Sequence, residues 1–154
     1  MTTEDMTTRV DDVVPAAKQL LEQIALAEAE KAAESVRKRA EAEAEKKHLL
    51  DQLSKPSLSD EEAIRRGVAI IHRAAKNGQT EVQVFRFANE LCTDHGRAIN
   101  QMEPGWESTL TGIPKQVYEL WHRHFRARGY KLRVQIVDWP GGVPGDIAMT
   151  LSWQ

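Results

Sequence analysis

Apolar and polar positions follow different rules in the two parts of this chain. Residues 16–55 hold no glycine and no proline and are dense in Ala, Glu, Lys, Leu and Gln, all strong helix formers. The stretch predicts one helix of roughly 60 Å, at 1.5 Å per residue. Glu34 with Lys38 and Glu43 with Lys47 are i,i+4 pairs in the favourable order. Its large apolar residues gather in two clusters, Leu20, Leu21 and Ile24 near the start and Leu49, Leu50 and Leu53 near the end. Between them runs a narrow stripe of Ala25, Ala29, Ala32, Val36 and Ala40, and no clean heptad carries through to Lys46. A helix of this kind gains little from propensity alone and needs packing against something else. Two readings follow: a stalk that associates with itself or with a partner helix, or a solvated helix with frayed ends.

From residue 59 the periods change. Ser59-Asp60-Glu61-Glu62 reads as a capping box, with Glu62 three residues after the capping serine. Ile64, Val68, Ile71 and Ala75 then keep helical spacing, and Asn77-Gly78 ends the helix. Residues 80–87 (TEVQVFRF) alternate and are rich in β-branched and aromatic types, which predicts a strand. Asn89 opens a short helix carrying Leu91, Ala98 and Ile99, weakened by Gly96 and broken at Glu103-Pro104-Gly105. A third helix has Pro114 in its first turn, where proline is tolerated, with Val117, Leu120, Trp121 and Phe125 on its buried side and Gly129 at its end. Residues 131–139 (KLRVQIVDW) and 146–153 (DIAMTLSW) alternate around a Gly/Pro loop, the pattern of an antiparallel hairpin with one buried face. The expected wet face carries Arg133, Gln135, Thr150 and Ser152.

The expected fold class is therefore α+β: a long N-terminal helix, then a small domain with a three-stranded antiparallel sheet and three helices, in the order α-β-α-α-β-β. The expected organisation is a disordered tail over 1–12, the long charged helix over 13–56, and the α+β domain over 57–154. Over residues 59–153 this succession resembles that of winged-helix domains, a likeness of element order without a diagnostic motif. The stretch 101–112 is longer than a helix-turn-helix turn, and the last two strands are long for a wing.

Composition sharpens the division. All nine aromatic residues follow position 84 and all nine glycines lie at or after Gly67. The chain of 154 residues has net charge −2 and one cysteine, so no intrachain disulfide forms and a reducing compartment is expected. No apolar run reaches the roughly 18 residues of a membrane span, and the acidic start Met1-Thr2-Thr3-Glu4-Asp5 is unlike a secretory signal. The expected location is cytoplasmic, with no membrane contact.

Charge is locally uneven. Between residues 115 and 133 stand Lys115, Arg123, Arg126, Arg128, Lys131 and Arg133 against Glu119 alone. Lys115, His122, Arg123 and Arg126 fall on the helix side away from Val117 and Leu120, and such a face can meet phosphates. It can equally complement the helix dipole. Trp106 and Trp139 lie beside turns, where an exposed tryptophan would anchor a partner; otherwise they cap the ends of the core. Cys92-Thr93-Asp94-His95 offers a thiol and an imidazole at i and i+3, which on a helix share a face, the residue types of nucleophilic catalysis. The bland reading is a buried free cysteine. One cysteine and no i,i+4 histidine pair argue against a structural zinc site. Gly141, Gly142 and Gly145 link two strands, a hairpin turn rather than a phosphate loop.

These features point to a non-enzymatic interaction protein without a cofactor. Its N-terminal helix would bind a second copy or a protein partner. Lys115, His122, Arg123, Arg126, Trp106 and Trp139 would form its binding surface. The alternative is a dimeric, winged-helix-like nucleic-acid binder. The third class is a small enzyme using Cys92 and His95.

Overall fold

The computed structural model describes residues 12–154; the segment 1–12 expected as a disordered tail lies, but for its last residue, outside them. The chain divides into two units, Met1–Lys46 and Lys47–Gln154. Helix α1, Ala17–Leu53, runs unbroken for 37 residues and buries none of them fully. Its Glu34–Lys38 pair closes at 3.4 Å. The second unit takes in the last turns of this helix, where Leu50 and Leu53 pack against the unit's own core.

Helix α2, Asp60–Lys76, starts as its sequence dictates: the Ser59 hydroxyl accepts the Glu62 amide at 3.2 Å. Three acids in the first turn and Arg73 and Lys76 in the last complement the helix dipole. Its inward face keeps Ile64 and Ile71 of the expected stripe but not Val68 or Ala75. Ile71 and Ala74 are buried with Ala63, Gly67 and Ile70 partly covered, whereas Val68 is 36% exposed and Ala75 is open.

Strand β1, Glu81–Ala88, leads into a single 3-10 turn at Asn89–Leu91 and a one-turn helix α3, Arg97–Asn100. The left-handed Gly96, φ 82°, stands at the N-terminal end of α3. Helix α4, Gly112–Leu120, continues through a π turn at Trp121–Phe125 and a 3-10 turn at Arg126–Arg128, and stops at the left-handed Gly129. Strands β2, Lys131–Ile136, and β3, Asp146–Ser152, complete the sheet. The fold is the expected α+β arrangement: a long helix, then helices and a three-stranded antiparallel sheet, in the expected order.

The sheet order is β1-β3-β2, so the last strand is the middle one. Val82, Phe85 and Phe87 of β1 and Leu132, Val134 and Ile136 of β2 pair with Leu151, Met149 and Ile147 of β3. A bulge between Gln83 and Phe85 lets Val84 and Phe85 both reach the apolar side, a usual consequence of one extra residue. The other face is less wet than expected. Thr150 and Ala148 are buried there. Arg133 of β2 reaches Glu81 of β1 at 3.0 Å, spanning the central strand, and Arg86 holds Asp146 at 3.0 Å and Asp138 at 3.3 Å.

Candidate functional site

Six of the nine aromatic residues, Trp106, Tyr118, Trp121, Phe125, Tyr130 and Trp153, gather on and around α4 in two rows. Tyr118 is the hub: Trp106 meets it edge-on at 5.5 Å, Trp121 lies at 5.8 Å and His122 at 6.0 Å. Separations of 4.5–7 Å with tilted rings are the favourable geometry for such groups. A second row runs Phe125, Tyr130, Trp153 at 5.5 and 6.4 Å. The indole N–H of Trp121 donates to the Tyr130 carbonyl at 3.0 Å, fixing the π turn against the start of β2. Burial pushes the Tyr118 hydroxyl above the usual phenol range; Glu107 pushes the same way and Arg126 opposes it.

Cations border this cluster. Lys115, His122, Arg123 and Arg126 are all exposed. Arg126 Nη1 lies 3.1 Å from His122 Nε2. A guanidinium only donates, so Nε2 is the acceptor wherever this contact is a hydrogen bond. Arg123 reaches back to Glu119 at 3.7 Å. The structure thus brings together Trp106, His122 and Arg126 through Tyr118, with Arg123 on the same turn as its acid and Lys115 at the other end of α4. Trp106 is half-buried and packs against the core. Trp139 stands elsewhere, 50% exposed in the β2–β3 loop beside the open Val143. That loop is braced by Asn89, whose side-chain amide donates to the carbonyls of Pro144 and Gly145 at 2.7 and 3.1 Å.

Tyr118, the centre of the arrangement, was no candidate in the sequence. Its signal is positional: on a helix it lies four residues before His122 and three before Trp121, which places the three rings side by side.

Cys92 and His95 do not share a helical face, because the chain turns between them instead of coiling. Cys92 forms an isolated bridge with Leu110, and His95 sits at φ 56° in the turn before α3. Cys92 is buried, and that burial pushes its thiol up to about 11 despite a hydrogen bond with the Thr109 side chain. At neutral pH it is held as the thiol, the unreactive form. Asp94 instead serves the backbone. Burial pushes its carboxyl up, but the amides of Ala98 and Gly96, at 2.9 and 3.0 Å, outweigh this and hold it below the usual carboxylate range. Among the described residues no three His, Cys, Asp or Glu side chains cluster as a metal site would need, and no helix is long and apolar enough to cross a membrane.

Comparison of the chain with protein-family models, with curated proteins and with solved structures found no match.

Proposed function

We propose that this chain is a non-enzymatic interaction module. Helix α1 associates with a second copy of itself, and the aromatic–basic surface around α4 binds a protein partner. The observation that carries this reading is that α1 buries none of its 37 residues fully while exposing Leu20, Leu21, Ile24, Leu26 and Val36. In proteins most helical stability comes from packing of an apolar face, and these large apolar side chains are left exposed. Leu26, Ala29, Ala33, Val36 and Ala40 alternate at spacings of three and four, which sets small side chains along one seam. Sedimentation equilibrium of the full chain is expected to give twice the monomer mass. A truncation beginning at Lys47 keeps Leu50 and Leu53 in the core and is expected to be monomeric, as is the full chain with Leu26→Glu and Val36→Glu. A full-length chain of monomer mass at all concentrations would end the self-association reading.

A second reading, nucleic-acid binding, is favoured by one observation: Lys115, Arg123, Arg126 and Arg128 are exposed together along α4 and its continuation. In that case binding to mixed-sequence duplex weakens with salt, each neutralised phosphate contributing about −0.9 to the logarithmic slope. Arg123→Glu with Arg126→Glu then flattens the slope by roughly two such contacts. Binding that is absent or insensitive to salt removes this reading.

A further inference from the structure

The apolar interior of the second unit closes at one end and stays open at the other. Around Cys92, Leu110 and Ile147 the side chains are sealed from solvent. Between α2, α4 and the inner face of the sheet there is instead a cavity of about 270 Å³. Its walls include Ile64, Ile70, Phe85, Leu120, Trp121 and Phe125. The π turn of α4 supplies two of these, Trp121 and Phe125, and such turns recur at functional sites.

We propose that this cavity binds a carboxylate with a single unbranched hydrocarbon chain. Three observations select that chemistry. The first is Gly67, which lines the cavity in the middle of α2 and has right-handed helical neighbours on both sides. Glycine there weakens the helix relative to alanine, and a Cβ at this position would meet nothing within 4 Å. Packing therefore does not require the glycine; it leaves room in the wall. The second is charge. The lining is apolar apart from Arg66 and Gln116, and no carboxylate is among the described residues that line it. The amide nitrogen of Gln116 is already committed to the Leu58 carbonyl and the Asp60 carboxylate, both at 3.0 Å. Arg66 meets Glu62 at 4.0 Å, with both side chains largely exposed. Its guanidinium can exchange that long contact for a bidentate pair with a ligand carboxylate. The third is size. An apolar cavity of roughly 150 Å³ takes up benzene, with six carbons. On that scale about 270 Å³ holds a chain of roughly ten to eleven carbons. The hydrocarbon lies among the isoleucines and aromatic rings, and the head group meets Arg66 at the rim.

The test is calorimetric titration of the full chain with hexanoate, octanoate, decanoate and dodecanoate, and with decan-1-ol. Methyl NMR of the isoleucines is recorded alongside. Each added methylene is expected to tighten Kd by about fourfold until the cavity is full near ten carbons, after which the gain stops. The methyl signals of Ile64 and Ile70 shift and that of Ile147, in the sealed part, does not. Gly67→Leu, which fills the cavity, weakens decanoate binding at least about tenfold. Gly67→Ala weakens it modestly while raising thermal stability, a pairing that misfolding cannot produce. Arg66→Gln weakens decanoate but leaves decan-1-ol unchanged. The proposal is overturned by any of three results: no heat and no methyl shift at about 1 mM decanoate, affinity that rises without a plateau, or full binding by Gly67→Leu. Decanoate that binds only by breaking up self-association would also overturn it, by showing the cavity to be covered by a second copy. The oligomeric mass of the free chain is measured separately, so either reading can fail alone.

Discussion

Replacing Ile147 by alanine is expected to destabilise the second unit by about 4 kcal/mol, within the roughly 2–5 kcal/mol of large-to-small changes at sealed sites. Ile147 is 0% exposed near the start of the middle strand, opposite Phe87 on one side and Ile136 on the other. Its Cδ1 also lies against Gly96. The site cannot collapse easily: strands flank it on both sides, and the backbone at Gly96 is pinned by Asp94. Deleting three carbons therefore leaves most of their volume empty. At roughly 4–8 °C per kcal/mol for a domain of this size, the midpoint of thermal unfolding should fall by at least about 15 °C. Val143→Ala, at an open loop position, is the control and should change stability by less than about 0.5 kcal/mol. A midpoint for Ile147→Ala within a few degrees of the parent would mean that the sheet's inner face is not the principal core.

Much of this core was legible in the sequence, because strands and capped helices announce themselves locally. Ser59 and Glu62 mark the start of α2, and the Gly/Pro loop between two alternating runs marks the β2–β3 pair. The inward face of α2 is only half legible for a physical reason. The sets 64, 68, 71, 75 and 63, 67, 70, 74 have the same spacing, and the covered face draws on both: it keeps Ile64 and Ile71 and adds Ala63, Gly67, Ile70 and Ala74, three of which are small and carry little hydrophobic weight. The bulge in β1 was present as two overlapping alternations, Val82 with Val84 and Phe85 with Phe87, but only pairing with β3 shows that one residue is extra. The π turn left no local mark, since WHRHF is compatible with an ordinary helix. Empty space leaves none either: no residue type encodes a cavity, and Gly67 inside a helical pattern was its one trace. The burial of Thr150 was hidden because it depends on strand order. Only when β3 is known to be the middle strand does a threonine on the polar face fall beneath the arginine–carboxylate pairs that span it.

The other large effect is expected where the end of α1 meets the start of α4, both within the second unit. Gly112 has φ +60°, and a Cβ there would collide with the Leu53 carbonyl oxygen and stand 2.9 Å from the Cα and the carbonyl carbon of Ser54. Those atoms are backbone, so they cannot swing aside as the end of a long side chain can. Gly112→Ala therefore carries two costs. The left-handed backbone disfavours any side chain by about 1–2 kcal/mol. The collision must also push the 50–54 backbone away from α4, pulling Leu50 and Leu53 from their places against the core. Gly78→Ala separates the two costs, because Gly78 has φ +79° and nothing within 4 Å of a Cβ. Gly78→Ala should lose about 1–2 kcal/mol, and Gly112→Ala about 3 kcal/mol or more once part of the leucine burial is lost. Hydrogen exchange locates the difference. Amides at 50–54 should lose protection in Gly112→Ala and keep it in Gly78→Ala, whereas those of β3 should stay slow in both. Equal losses in the two variants would mean that Leu50 and Leu53 add nothing to the unit, and that it begins after Pro56, where the composition changes, rather than inside the long helix.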